Sequence, residues 1–392
     1  MSHNTRRTAP AVAIFRNWLL PISETFIRAQ VDALTAFDTV YVGCRRCEGL
    51  TILRHPVVVM PKGLSGRAEK FLLRSMGRAP TLVSGLRKHN VALLHAHFGP
   101  DGAMALPLAQ ALNIPLLVTF HGYDASLTDE SFRQNFHGRW YLKHREMLRT
   151  RATSILAVSH FIADKLHQQG FSPEKVQVHY IGVDTEEFKP LRQVPRERKV
   201  LFVGRLVEKK GCEYLIRAME PIQQAMPEVE LVIVGDGPLR RSLEGLAKSK
   251  LRRFTFTGSQ SAVRIRDWMS RAAMLCTPSI VAASGDAEGF GMVFIEAQSS
   301  GLPVVSFASG GIPEAVRHGE SGYLAPEKDW RTLSDYIAGL LVDGDLWANF
   351  SRAGRSLVEK SFDLRVQTGK LEHIYEEAIC SKQFAGNSLV SV

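Results

Sequence analysis

The sequence lacks the features that mark several large protein classes. No stretch approaches the roughly 18 apolar residues that a membrane-spanning helix needs, and only the short apolar segment Ala11–Phe15 precedes Arg16, unlike a secretory signal peptide. Five cysteines in 392 residues do not suggest a disulfide framework. Cys44 and Cys47 form a lone C-x-x-C, and a zinc site would want a second pair. We therefore expect a cytoplasmic protein with free thiols and no bound metal.

Two common nucleotide-binding motifs are also missing. The segment Gly204–Gly211 lacks the G-x-x-x-x-G-K-[ST] spacing of a P-loop. No G-x-G-x-x-G follows the first strand of either half of the chain. P-loop NTPases and nicotinamide-dependent dehydrogenases are therefore disfavoured.

Length and charge suggest two domains of different character. A chain of 392 residues usually folds as more than one domain. The formal net charge is +10, of which residues 1–190 carry +8 and residues 191–392 only +2. Such an excess suggests that the first half meets an anionic partner, such as phospholipid, a pyrophosphate or nucleic acid. No aromatic and basic recognition motif for nucleic acid appears, so we expect no nucleic-acid partner.

Strands and helices alternate along both halves, which predicts a doubly wound parallel sheet in each half. In the first half, the predicted strands include Ala11–Phe15, Thr39–Gly43, Pro56–Met60, Pro115–Phe120 and Ser154–Val158. In the second half, they include Val200–Val203, Leu231–Val234, Phe254–Thr257, Met274–Pro278 and Val304–Phe307. Ser23 is predicted to cap a helix that follows the first strand.

Polar side chains follow the strands of the first half, where ligands of such sheets bind. The residues at these positions are His95, His97, His121, Asp124 and Ser159. Lone histidines are usually structural, and no spacing among these favours a metal. His121 is the exception that we single out, because Gly122 frees the backbone beside it and Asp124 can orient or charge its imidazole.

A basic helical stretch, Ser65–Asn90, lies in the first half and is broken near Pro80. Four cations are predicted to share one helical face, namely Arg67, Lys70, Arg74 and Arg78. Three apolar side chains lie elsewhere around the helix, namely Phe71, Leu72 and Met76. A basic amphipathic helix of this kind can lie on an anionic membrane surface. A surface helix with solvated charges is the alternative.

The segment Ser284–Gly301, SGDAEGFGMVFIEAQSSG, places Glu288 and Glu296 eight positions apart. Gly289 and Gly291 allow close backbone approach to a ligand. The turn between them leaves unpaired N–H groups at the start of a predicted helix, which favours an anion there. Glu296 lies more than one turn inside that helix and can accept hydrogen bonds from two hydroxyls. A loop glutamate and a solvated helix glutamate are the alternative interpretation.

Cations and glycines surround the same predicted sheet edge in the second half. Arg205 and Lys210 follow a strand directly, where a guanidinium fork and an ammonium suit a diphosphate. The Gly310-Gly311 turn opens a predicted helix, Ile312–His318, and offers N–H groups to the same anion. Together these residues describe a nucleotide-diphosphate site.

Motifs in both halves resemble one enzyme family. VGRLVEKKG, VGDGP, EGFGMVFIEA and SGGIPEAV resemble the donor half of family four of the retaining GT-B glycosyltransferases. PISETFIRAQVDAL, LLHAHFG, TFHGYD and AVSHFIADKL resemble its bacterial exopolysaccharide and lipopolysaccharide members, colanic-acid-type enzymes among them.

The resemblance implies a GT-B fold, in which two Rossmann-like domains face each other across a cleft. Residues 1–188 would form the acceptor-binding domain and residues 189–363 the donor-binding domain. A C-terminal helix of about residues 364–380 (Leu364–Ala378 at its core) would cross back to the first domain. We expect residues 381–392 to be disordered.

The resemblance also implies roles for single residues. Arg205 and Lys210 would hold the donor diphosphate, Glu288 would contact the sugar near its reacting carbon, and Glu296 would bind the ribose. His121 would lie beside the sugar and completes a predicted catalytic set with Glu288, Arg205 and Lys210. The predicted donor-binding residues are Gly204, Arg205, Lys210, Gly235, Glu288, Gly289, Phe290, Gly291, Glu296, Gly310 and Gly311.

The implied mechanism is a front-face reaction in which the leaving diphosphate helps to deprotonate the acceptor. Charge develops on that leaving group, beside Arg205 and Lys210. The family needs neither a side-chain nucleophile nor a catalytic metal or other cofactor, so the nucleotide sugar is a co-substrate.

The acceptor side departs from the family pattern. Many members have a Gly-Gly loop after the first strand, where this chain reads RNWLLPISE. The predicted acceptor contacts are Arg16, Ser23, Glu24, His97 and Asp124. The basic first domain suits a lipid-linked saccharide on the inner face of the plasma membrane, in exopolysaccharide or lipopolysaccharide biosynthesis. A soluble small-molecule acceptor, or nucleotide-sugar binding without turnover, is the alternative.

Overall fold

Two α/β domains, each built on one parallel sheet, make up the described part of the chain. A computed structural model describes residues 10–21, 24–50, 52, 55–191 and 195–388. The first sheet has seven strands and the second has six. The prediction of two doubly wound domains is therefore confirmed. No helix in the described ranges is long and apolar enough to cross a membrane.

The first domain alternates strands with helices. Its strands are β1 (Ala11–Phe15), β2 (Trp18–Leu19), β3 (Asp38–Gly43), β4 (Arg45–Arg46), β5 (Val57–Val59), β6 (Val91–His97), β7 (Leu116–Phe120), β8 (Ser154–Ala157) and β9 (Val176–Val178). Its helices are α1 (Thr25–Asp32), α2 (Leu64–Met76), α3 (Pro80–Arg87), α4 (Gly99–Leu112), α5 (Tyr123–Ser126), α6 (Asp129–Arg133), α7 (Phe136–Arg151) and α8 (His160–Gln168). The main sheet has the order β5-β3-β1-β6-β7-β8-β9, and β2 pairs with β4 separately.

The second domain repeats this plan. Its strands are β10 (Lys199–Val203), β11 (Glu230–Val234), β12 (Phe254–Gly258), β13 (Met274–Cys276), β14 (Val304–Phe307) and β15 (Gly322–Ala325), in the order β12-β11-β10-β13-β14-β15. A 3₁₀ turn, Glu208–Lys210, follows β10. The helices are α9 (Cys212–Ala225), α10 (Arg240–Lys250), α11 (Ala262–Arg271), α12 (Met292–Ser299), α13 (Ile312–Ala315), α14 (Trp330–Val342), α15 (Gly344–Ser361) and α16 (Leu364–Ser388).

The strand orders locate the place where each sheet can bind a ligand. The central strands are buried along nearly their whole length, as parallel strands covered by helices on both faces must be. In the first sheet the order reverses between β1 and β6, and in the second between β10 and β13. A crevice opens beyond the carboxyl ends of the strands at such a reversal. Arg16 directly follows β1, and Arg205 is the second residue after β10, so both lie at these crevices.

The last helix returns to the first domain. Leu371 and Tyr375 of α16 are fully buried in an apolar cluster with Val12 and Ile14 of β1. The Tyr375 hydroxyl lies 2.7 Å from Nδ1 of His95. Where α16 begins, the Leu364 N–H donates to the Val183 carbonyl at 2.9 Å. The two segments that connect the domains, one near Val183 and one near Leu364, therefore lie side by side.

Two predicted helix ends are wrong. The helix that follows Gly311 ends at Ala315 rather than His318, because Val316 takes an extended conformation with φ −131° and ψ 121°. In the basic stretch, α2 ends at Met76, where Gly77 caps it with φ 67° in the left-handed region. Arg78 therefore lies beyond the helix and does not share its basic face.

The C-terminal tail also differs from expectation. The chain remains helical through Ser388, although we expected disorder over residues 381–392, of which residues 389–392 lie outside the described ranges. Ser23, the predicted cap of the first helix and a predicted acceptor contact, lies outside the described residues.

Candidate functional site

Loops at the carboxyl ends of the two sheets are in direct contact. Ser159 Oγ donates to the Gly289 carbonyl at 2.6 Å, and the Ala287 N–H donates to Ser126 Oγ at 3.1 Å. A β-carbon at Gly289 would lie 2.1 Å from the carbonyl oxygen of His121, closer than any side chain tolerates. Gly289 is therefore required where the second domain meets the His121 turn of the first domain.

An ion pair between Lys210 and Glu288 lies beside this contact. Lys210 ends the turn after β10, and Glu288 lies a few residues before α12, so their side chains meet across 78 residues of sequence. They are only 15% and 14% exposed. Burial raises the pKa of Glu288, but the charges of Lys210 and Lys209 outweigh that effect and lower it overall. Glu288 is therefore a carboxylate at neutral pH.

Arg205 is a cation that is not paired with any carboxylate among the described residues. Its side chain is exposed, and it forms no ion pair or side-chain hydrogen bond with any residue that the structure describes. The backbone beside it is tightly packed, since a β-carbon at Gly235 would lie 1.9 Å from the Gly204 carbonyl oxygen. Gly235 also has φ 144°, which favours glycine. These two glycines bring the loops after β10 and β11 together next to Arg205 in the sequence.

Backbone donors lie next to the carboxylate. Within the described ranges, the N–H groups of Gly289, Phe290 and Gly291 donate to no protein acceptor. The Phe290 ring is buried and packs against Tyr180 and Phe362, with ring centroids 5.3 and 5.0 Å away. That packing fixes the backbone, so the Phe290 side chain anchors the loop while its N–H remains available.

The Gly310-Gly311 turn donates less than we predicted. The Gly311 N–H donates to the Glu288 carbonyl at 2.9 Å, and the Ile312 N–H donates to the Ser309 carbonyl at 3.2 Å. Both groups are therefore satisfied within the protein, which contradicts the prediction for Gly311, whereas the Gly310 N–H donates to no acceptor among the described residues and stays a predicted donor to the anion. The turn instead supports the backbone of Glu288.

Glu296 lies within α12 and is partly buried. Its carboxyl oxygens have no hydrogen-bond partner among the described residues, although Arg266 and Glu187 pair with each other nearby. Burial, with a smaller contribution from the Glu187 charge, raises the pKa of Glu296 to about 7. The carboxyl group therefore titrates near neutrality and retains its full capacity to accept hydrogen bonds from a ligand.

His121 lies among aromatic rings at the cleft face of the first domain. Its Nε2 is 3.0 Å from Nδ1 of His97, and its ring centroid is 5.0 Å from that of Phe26 and 4.6 Å from that of Phe98. Burial, together with the charge of Arg16, lowers the pKa of His121 well below its usual value. The imidazole is therefore neutral. Its Nδ1 is buried and has no hydrogen-bond partner in the part of the chain that the structure describes.

Asp124 does not orient the His121 imidazole as we predicted. Its carboxylate is fully buried and accepts hydrogen bonds from the N–H groups of His121 at 3.0 Å, Gly122 at 2.8 Å and Gly99 at 3.0 Å. Asp124 therefore fixes the backbone turn, and His97 holds the ring. A side chain that is 0% exposed also has no surface to offer an acceptor.

Arg16 and Glu24, which we predicted to contact the acceptor, instead form an ion pair with each other. Arg16 binds both oxygens of Glu24 and pairs with Asp101 of α4. It also donates to the His97 carbonyl at 3.1 Å, and its guanidinium lies 4.4 Å from the centroid of the Phe98 ring. Arg16 and Glu24 are 8% and 6% exposed. This ionic cluster ties β1 to α1 and α4 beneath the cleft.

Sequence reasoning missed three partners in this region. Asp101 neutralises Arg16, Lys209 pairs with Asp286 at 2.9 Å beside the Lys210–Glu288 pair, and Ser159 bonds across the domain contact. Ser159 was visible at a strand end, but its partner was not. In the described ranges, no group of three His, Cys, Asp or Glu side chains is arranged to hold a metal ion.

Comparison with known proteins places this geometry in context. Residues 183–357 match the family model Glycosyl transferases group 1, and residues 23–187 match the model Glycosyltransferase Family 4. The amylovoran biosynthesis glycosyltransferase AmsK of Erwinia amylovora is 30% identical over 333 residues, which span 81% of this chain and 80% of AmsK. The putative colanic acid biosynthesis glycosyltransferase WcaL of Escherichia coli is 29% identical over 288 residues, covering 72% of this chain and 69% of WcaL.

A solved structure shares the fold. The complex of Anabaena Alr3699/HepE with UDP and glucose superposes with a TM-score of 0.75 at 21% identity, covering 93% of this chain and 99% of that protein.

Proposed function

Because the chain belongs to the glycosyl transferases group 1 and glycosyltransferase family 4, we propose that it moves a sugar from a nucleotide-diphosphate sugar to a saccharide acceptor with retention of configuration. The observation that carries this proposal is the grouping of Arg205, Lys210 and Glu288 at the reversal of the second sheet, against the His121 turn. Two cations suit a diphosphate, and the carboxylate between them and His121 suits sugar hydroxyls.

The diphosphate would lie between Arg205, Lys210 and the free N–H groups of Gly289–Gly291. Arg205 has no carboxylate partner among the described residues, so it loses no ion pair when it binds phosphate. Lys210 shares its charge with Glu288, which keeps the carboxylate close to the phosphate end of the sugar. The ribose hydroxyls would bind Glu296, whose carboxyl oxygens have no hydrogen-bond partner among the residues that the structure describes.

In the proposed reaction, the bond between the anomeric carbon and the β-phosphate oxygen breaks. Negative charge develops on the leaving diphosphate, where Arg205 and Lys210 stabilise it. The leaving oxygen takes the proton of the acceptor hydroxyl, and that hydroxyl attacks from the same face of the sugar. This step retains configuration and requires no side-chain nucleophile and no metal.

His121 would contact the donor sugar. The backbone of His121 contacts Gly289 of the second domain. The buried Nδ1 of its neutral imidazole has no partner among the described residues, which costs free energy in the absence of a ligand. A sugar hydroxyl at this atom would remove that cost. His121 therefore acts by positioning and hydrogen bonding rather than by carrying a full charge.

The proposed acceptor is a lipid-linked saccharide at the cytoplasmic face of an anionic membrane. AmsK and WcaL are described as exopolysaccharide enzymes, of amylovoran and colanic acid respectively. The first half of this chain carries a net charge of +8, which favours an anionic surface or a pyrophosphate anchor. Exopolysaccharide or lipopolysaccharide assembly is the corresponding pathway class.

A panel of UDP-, GDP-, ADP- and dTDP-sugars tests the donor site. The matching donor should raise the melting temperature and release its sugar slowly in water. Incubation of that donor with a membrane lipid extract should then move labelled sugar into the organic phase. No thermal shift with any donor would contradict the donor site, while label that stays in the aqueous phase would contradict the lipid-linked acceptor.

A further inference from the structure

Apart from the proposed donor site, a cavity lies on the first domain, between α2 and α7. It encloses about 520 Å³. Four cations line it, namely Arg67, Lys70, Arg74 and Lys143. Three aromatic side chains also line it, namely Phe71, Phe136 and Trp140, together with Ser75 and His144. We call this cavity the α2–α7 pocket; no residue of the donor site lines it.

The α2–α7 pocket has an excess of positive charge. No carboxylate lines it, and none of its four cations forms an ion pair with any carboxylate in the described ranges. Arg74 donates from Nη2 toward Nδ1 of His137 at 2.8 Å, but its Nε is buried and has no hydrogen-bond partner. A buried guanidinium nitrogen without a partner is costly in a folded protein. An anion in the pocket would remove that cost.

Burial makes the two deeper cations harder to charge. It lowers the pKa of Lys70, and the nearby charge of Arg74 adds to that effect. Burial likewise lowers the pKa of Arg74. Neighbouring cations that share a partly desolvated pocket repel each other, which a bound anion reverses.

Apolar side chains project from the same surface. Leu64, Phe71 and Phe136 are 81%, 70% and 60% exposed. Leu64 and Phe71 lie seven residues apart on α2, with Arg67 between them and Arg74 one turn beyond, so all four share one helical face. Phe71 was predicted to lie away from the cations and instead lines the pocket with them. Cations flanked by exposed aromatic and aliphatic side chains match the interface of an anionic bilayer.

We propose that the α2–α7 pocket binds the phosphate of an anionic phospholipid, while Leu64, Phe71 and Phe136 enter the bilayer interface. The inference rests on the membrane-associated acceptor of the proposed function, and it assigns the membrane contact to specific residues. A free phosphate would satisfy the cations alone. The exposed apolar side chains are satisfied only by a lipid surface, so the membrane phospholipid is the occupant to which we commit.

Flotation of the full-length protein with lipid vesicles tests the proposal. The wild type should bind phosphatidylcholine vesicles that contain phosphatidylglycerol, and binding should weaken as salt is added. The double variant Lys70→Gln/Arg74→Gln should partition about 30-fold more weakly, equivalent to about 1 kcal/mol for each cation near the surface. Arg67→Gln/Lys143→Gln, which changes only exposed positions, provides a second test if the deeper variant does not fold.

A charge-matched control separates a specific pocket from diffuse attraction. Arg241→Gln/Lys248→Gln removes two exposed cations of α10 in the second domain and should leave flotation unchanged. An equal loss in this control would contradict the pocket, as would normal binding by both pocket variants. Phe71→Ser/Phe136→Ser should reduce vesicle binding at every salt concentration, because salt does not screen the apolar contribution to binding. Release of the protein from the vesicles by single-stranded RNA, added at the same total negative charge as the lipid, would identify a nucleic-acid groove and overturn the proposal.

The proposed function and the pocket can fail separately. Each pocket variant should keep the thermal shift with the donor sugar, since none of its substitutions touches the donor site. A wild type that hydrolyses a donor but does not float with anionic vesicles would refute the pocket alone. A protein that floats but responds to no nucleotide sugar would refute the proposed function and leave the pocket standing.

Discussion

Lys210 and Glu288 form an ion pair in which both side chains are largely buried, at the point where the second domain meets the first. In the proposed function these residues have different ligands, since Lys210 binds phosphate and Glu288 binds the sugar. Because the two side chains are in contact, the phosphate and the sugar would bind next to each other. It also means that the positive charge of Lys210 keeps Glu288 ionised before a donor arrives.

Removing the Glu288 charge should separate turnover from nucleotide binding. Glu288→Gln should lower kcat by about two orders of magnitude, the usual effect of losing one preorganised group near the reacting centre. The same variant should bind the free nucleoside diphosphate more tightly, because Lys210 no longer shares its charge. Kinetics and calorimetry on one preparation measure both effects. Weaker diphosphate binding with unchanged kcat would contradict the assignment.

The pH dependence of donor binding should report Glu296. Its pKa of about 7 means that the ionised form, which accepts hydrogen bonds from two hydroxyls, disappears as the pH falls below 7. Nucleotide-sugar affinity should therefore rise with pH through this range. Glu296→Gln should abolish that rise. A wild-type titration that is flat across neutrality would show that Glu296 does not bind the donor in its ionised form.

Asp124 should prove to be a structural residue. Asp124→Asn replaces one carboxylate oxygen by an amide donor, which meets an N–H of Gly99, Gly122 or His121. We expect the free energy of unfolding to fall by about 1–3 kcal/mol, the cost of an unsatisfied buried polar group. Chemical denaturation measures this change. A variant with wild-type stability and reduced acceptor affinity would restore the sequence-based prediction.

The Arg16 cluster allows the same distinction on the acceptor side. Arg16→Gln would leave Glu24 and Asp101 buried without their shared cation. The expected loss is about 3–5 kcal/mol of unfolding free energy. Arg46→Gln, at an exposed position of β4, is a matched control and should change little. Equal stability of the two variants would show that Arg16 is not structural.

Local sequence patterns predicted most of the architecture. β1 and β14 were located to the residue, and the other strands assigned from sequence, such as β10, to within one or two, because buried parallel strands are short apolar runs bounded by polar loops. The small strands β2 and β4 and the edge strands β9 and β15 were not predicted. Their few residues carry no distinctive pattern, and their pairing is set by tertiary contacts.

The sequence located the donor-site residues but not the contacts among them. Arg205, Lys210 and Glu288 were chosen because each follows a strand or precedes a helix at one sheet edge. The Lys210–Glu288 pair joins positions 78 apart, which no local pattern encodes. The roles of Asp124 and Arg16 were misjudged for the same reason, since a charged residue at a strand end looks alike whether it faces a ligand or bonds to neighbouring backbone.

Arg205 is the most direct test of the central claim, because it is exposed and unpaired within the described part of the chain. Isothermal titration of the matching nucleoside diphosphate should show that Arg205→Ala binds roughly 10- to 100-fold more weakly than the wild type, the effect of losing one charge-assisted hydrogen-bond donor. Arg241→Ala, an exposed arginine of α10, should bind like the wild type. Equal affinity of Arg205→Ala and the wild type would contradict a diphosphate site at this edge of the sheet.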